Sequence, residues 1–126
     1  MGARLEEPMI FVSIPRGHPG TPTGWVDFWQ THKGNSLIPP PEVDWSREMV
    51  LVAAVGKRSE AGDSIEIRRV LETGNGAQVT LFERIPGDFC SPASKAHYPV
   101  HVIVAPRTGD PIRFSELVTE LVPCGD

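Results

Sequence analysis

Residues 64–85 read SIEIRRVLETGNGAQVTLFERI. Two runs flank a turn. In Ser64–Leu71, Ile65, Ile67 and Leu71 alternate with Ser64, Glu66 and Arg68; in Gln78–Ile85, Val79, Leu81 and Ile85 form the apolar set. Side chains on a strand point to opposite faces with period two, so each run has one face for a core and one for water. Between them lies Glu72-Thr73-Gly74-Asn75-Gly76. Asn-Gly accepts the positive φ angles of tight hairpin turns, which predicts an antiparallel hairpin.

Outward from the hairpin, Met49–Val55 (MVLVAAV) is continuously apolar and stops at Gly56. A run without alternation fits a strand covered on both faces, which places it centrally. His97–Ala105 (HYPVHVIVA) reads as the last clear strand, with Tyr98, Val100, Val102 and Val104 on one face and His97, Pro99, His101 and Ile103 on the other. Met9–Ile14 reads as a first strand, ended by Pro15. Trp25, Phe28 and Trp29 recur at helical spacing after a possible Thr23 cap, predicting a short helix anchored on the sheet by its aromatic face. Ile112–Phe114 suggests a short strand, and Ser115–Leu121 a helical turn with Leu117, Val118 and Leu121 on one side.

The chain has 126 residues, formal charge −4 and two cysteines. That length supports one core without a metal or disulfide. The acidic balance leaves no basic stripe for nucleic acid, and no apolar run is long enough to span a bilayer. The first residues, with Glu6 and Glu7, lack the layout of a secretory signal, and Gly2 lacks the context for myristoylation. The compartment is therefore cytoplasmic, or a targeting segment precedes the stretch read here. Proline and glycine together number 25 and concentrate in 15–24, 39–41 and 86–92, which read as loops. Cys90 and Cys124 either close one disulfide, worth about 3–4 kcal/mol by chain entropy, or are unrelated thiols.

No catalytic or cofactor motif stands out. His97 and His101 have the spacing of a helical zinc pair, but four strand residues span about 13 Å, so no shared metal is expected. There is no G-x-S-x-G elbow and no phosphate-binding glycine loop. Cys90 and His97 resemble a thiol and base only in type, because Asp88–Pro92 offers the cysteine no electropositive surroundings. The loop 56–63 mixes both charge signs with small residues at a sheet tip, which makes Arg58, Ser59, Gly62 and Asp63 candidate contact residues.

Several segments together resemble the C-terminal domain family of the protease complex subunit PrcB. They are Trp25–Trp29, Val43–Val50, Gly56, Gly62–Ile67, Glu83–Gly87 with Cys90, and Pro99–Pro106, spanning about residues 24–107. The family's G-G-Y is Ala61-Gly62-Asp63 here, so the hairpin-tip aromatic is missing. The resemblance implies a non-enzymatic accessory module without cofactor, with a protease or other protein as partner. The fold expected is α+β: a mainly antiparallel sheet of about five or six strands, sandwich or half-barrel, carrying one aromatic-rich helix. The alternative is a small-molecule binder or hydrolase with a pocket near His97, His101 and Cys90.

Overall fold

The computed structural model describes residues 7–11, 21–22, 24–33, 38–60, 62–74, 76–87, 94–109, 111–115 and 117–122. Strand β2 (Glu48–Ala54) is the centre of the molecule, and Met49 through Ala53 are fully buried. It pairs antiparallel with β1 (Met9–Phe11) and with β7 (Val100–Pro106). Met49, Leu51 and Ala53 share one core with Ile65, Ile67, Val79, Leu81 and Ala105. Val50 and Val52 enter a second core with Phe11, Trp25 and Trp45. Two covered faces are why this strand carries no alternation.

The first core lies between that sheet and the hairpin. β4 (Ser64–Thr73) and β5 (Gly76–Pro86) pair antiparallel over their length, as the Asn-Gly turn predicts. Arg68 has no partner on β5: Ile67 faces Leu81, and Arg69 faces Thr80. This bulge shifts the later residues of β4 to the opposite face. Val70 packs on the first core, whereas Leu71, expected inward, is 46% exposed.

The free edge of β5 is covered by two short strands that run parallel to it. β8 (Ile112–Phe114) pairs with Ala77–Val79 and β9 (Val118–Val122) with Phe82–Pro86. Ser115 carries the ladder across the break. Its N–H donates to Val79 O at 2.7 Å, and its Oγ accepts from Leu81 N–H at 3.1 Å. The helical turn expected over 115–121 is therefore incorrect. An edge with unpaired backbone groups rewards ladder hydrogen bonds, and this outweighs the weak helical spacing of three apolar residues.

The predicted strand 97–105 is broken at Tyr98-Pro99, because proline has no N–H for a ladder. The first part is β6 (Ser94–His97), which pairs antiparallel with β3 (Arg58–Glu60), a strand in the segment expected to be a loop tip. The two histidines then fasten β6 and β7 to the chain entering β4. His97 Nε2 lies 2.9 Å from Asp63 O, and Ile67 N–H donates to His101 Nδ1 at 2.9 Å. The second bond holds a buried amide next to the bulge. His101→Ala leaves that amide unpaired and should cost about 1–3 kcal/mol in urea unfolding. His101→Asn, whose side-chain oxygen reaches a position near Nδ1, should recover part of the loss.

Helix α1 (Trp25–His32) packs over the second core. Its N-cap is Gly24, with φ 86° and no side-chain capping bond; Thr23 lies outside the described residues. Trp25 is 2% exposed and meets Phe11 edge-on at 5.3 Å and Trp45 edge-on at 5.9 Å between ring centres. The aromatic face thus anchors the helix, as expected. The fold is α+β, mostly antiparallel, with nine strands among the described residues; β3, β6 and β9 are the ones without a separate signal in the sequence. Among the described residues, no helix is long and apolar enough to cross a membrane.

Candidate functional site

The contact residues expected at 57–63 do not all face solvent. Arg58 turns inward from β3 and grips Glu83 on the inner face of β5. Its Nε donates to Glu83 Oε2 at 2.6 Å and its Nη2 to Oε1 at 3.1 Å, while Nη1 donates to Val55 O at 3.0 Å. Glu83 is only 5% exposed. A charge so deep needs a partner, and the forked guanidinium satisfies both carboxylate oxygens. Asp63 joins them: its Oδ2 is 3.9 Å from Arg58 Nε, and its carboxyl sits beside that of Glu83, so that a proton on Asp63 can be shared between the two. Ser59 and Gly62 remain exposed, with Gly62 at φ 91°.

Two carboxyls beside one guanidinium cannot both ionise cheaply. Burial, then the hydrogen bond to Glu83 and its charge, push the Asp63 carboxyl up to about 7. The Arg58 hydrogen bond holds Glu83 below the ordinary carboxylate range. The pair therefore carries one proton under mildly acidic conditions, on Asp63. Because Asp63 binds that proton more tightly folded than unfolded, its contribution is complete below the unfolded carboxyl value and is lost as pH rises through about 7. Glu83 acts oppositely, losing its contribution only as acid protonates it. Asn mimics the protonated acid, so Asp63→Asn should stabilise the protein at about pH 8 by on the order of 1–2 kcal/mol, and the gain should shrink steadily as pH falls from about 7 toward 4. Thermal melts of both proteins across that range check it; equal melts at pH 8 contradict a proton held at Asp63.

This cluster is packed among β3, β5 and β6 and serves the fold. The imidazoles of His97 and His101 are likewise engaged, each with the backbone of a different residue. Cys90 and Cys124, and with them the disulfide question, lie outside the described residues. Among the described residues, no group of three metal-ligating side chains converges.

An open concavity lies elsewhere among the described residues, between α1 and the turn that enters β2. It is a groove of about 650 Å³ lined by Thr21, Trp25, Val26, Pro40, Pro41, Glu42, Val43, Asp44, Trp45 and Glu48. The indoles of Trp25 and Trp45 are almost wholly buried and form its floor, and Val26 is 43% exposed beside them. The turn is held internally. Asp44 Oδ1 accepts from the Ser46 hydroxyl at 2.5 Å and from Ser46 N–H at 3.1 Å, and Glu48 Oε1 accepts from Asp44 N–H at 2.9 Å. Asp44 O in turn accepts the N–H groups of Arg47 and Glu48. Arg107 Nη1 donates to Trp45 O at 3.0 Å, tying the turn to the end of β7. The Ser46 bonds hold the Asp44 carboxyl below its ordinary range, so it stays charged.

The sequence marked Trp25 as an anchor but did not mark Glu42, Asp44 or Glu48. The available signal was three carboxylates within seven residues after a proline run, next to Trp45. No protein-family model, curated protein or solved structure matches this chain.

Proposed function

We propose that the chain is a non-enzymatic protein-binding module whose contact surface is the groove between α1 and the β2 turn. The observation that carries this reading is a concave, aromatic-floored surface whose walls are held by their own hydrogen bonds before any partner arrives. A preformed site loses little ordering entropy on binding. The resemblance to the PrcB C-terminal domain family adds a partner class: a protease that the module accompanies. The loop residues first suspected, Arg58 and Asp63, are committed to Glu83, which favours the groove as the contact surface over the 57–63 segment.

The test is a selection of random dodecapeptides displayed on phage, with the whole chain as bait. Binders should perturb the amide and indole resonances of Val26, Val43 and Trp45 in the labelled protein, and Val26→Lys should abolish their binding without unfolding it. Binders that perturb only the outer face of the β4–β5 hairpin, or a selection that yields none, would overturn this reading.

A further inference from the structure

Among the described residues that line the groove, the charged side chains have one sign: Glu42, Asp44 and Glu48, with no lysine or arginine. Glu42 and Asp44 are exposed, while Glu48 is half-buried. Two cations border the β2 turn: Arg47, 3.9 Å from Asp44, has a side chain 85% exposed, so water screens it, and Arg107 is directed at the backbone oxygen of Trp45. Two indole rings, in edge contact with each other, line the same groove. Aromatic rings attract cations through their quadrupole, and the methylene stem of a basic side chain packs on them while its head meets carboxylates.

On the reading that this groove is the contact surface, we propose that it receives an extended segment of the partner protein bearing a lysine or arginine, the alkyl stem over Trp45 and the charged head among Glu42, Asp44 and Glu48. Two further features fit a polypeptide. The groove is open, so a chain can pass through it, and Val26, Val43, Pro40 and Pro41 give apolar and rigid walls for residues flanking the cation. Asp44 keeps its charge through its bonds from Ser46, so the rim is anionic before binding. The formal charge of −4 steers basic segments toward the molecule and repels nucleic acid.

The same peptide selection tests the inference separately from the reading beneath it. Sequences that map to the groove should be enriched in lysine or arginine and depleted in aspartate and glutamate. For the tightest of them, replacing the basic residue by norleucine should weaken binding about tenfold. Glu42→Lys in the protein should do the same while leaving its melting temperature unchanged, since Glu42 holds no part of the turn. Binding should also weaken as salt is raised. Peptides that map to the groove with no basic enrichment, or a norleucine version that binds as tightly, would overturn the cationic occupant and leave the binding reading standing. Peptides that map elsewhere would overturn both.

Discussion

Gly76→Ala should destabilise the protein by roughly 3 kcal/mol or more, lowering its melting temperature by about 10 °C. The cause is space. A Cβ built on Gly76 stands 1.8 Å from Pro111 O and 2.8 Å from Pro111 C, both backbone atoms. Flexible side chains could move aside; a peptide unit cannot do so without taking its strand along. Pro111 O accepts the N–H of Ala77 at 3.0 Å, and β8 begins at the next residue. Relief of the clash therefore pulls β8 from Ala77–Val79 and uncovers that edge of β5. Gly74 is the informative control. It sits at φ 54° with nothing within 4 Å, so its need is conformational, and Gly74→Asn should be nearly silent because asparagine tolerates that region. Circular dichroism melts of both variants decide between them. A silent Gly76→Ala would mean that β8 does not lie against the hairpin turn.

This pair also shows what could be read from residue order and what could not. The sequence GNG announces a turn, and both Gly74 and Gly76 suit it locally. That Gly76 answers to a strand 35 residues later is a tertiary fact with no local trace. The same divide runs through the fold. Continuous hydrophobicity in Met49–Ala54 identified the central strand because both its faces are covered, and the cause and the pattern are one thing. The alternation of 64–71 was legible up to Ile67 and misleading beyond it, because nothing in Arg68-Arg69 signals which arginine the ladder will skip. Glu83 occupies an inward position in the period-two pattern of β5, between Leu81 and Ile85, and its polarity should have prompted a search for a buried counter-charge. Arg58 was noticed, but as a solvent-facing contact, since its partner lies 25 residues away on another strand. The groove was the least legible feature. Its floor residues, Trp25 and Trp45, come from a helix and a turn that no sequence spacing relates.

Arg58→Ala should cost about 3–5 kcal/mol at about pH 8, the range seen when one member of a buried pair is removed. Arg58 supplies both bonds to the oxygens of Glu83 and is the guanidinium facing the Asp63 carboxyl. Without it, two largely buried carboxyls face each other with His97, which lies against Asp63 O, as the remaining basic group that bears on Asp63. The loss should shrink near pH 5, where the pair retains a proton and only one charge is left stranded. A second substitution separates lost packing from stranded charge. Adding Glu83→Gln to Arg58→Ala removes the orphaned carboxylate while keeping its shape, so the double variant should be more stable than Arg58→Ala alone at pH 8. Equilibrium denaturation in urea at both pH values measures all of these terms. If Arg58→Ala cost the same at both, and Glu83→Gln rescued nothing, the arginine would be acting through its methylene stem and its bond to Val55 O, and the charge pairing would contribute nothing to holding β3 against β5.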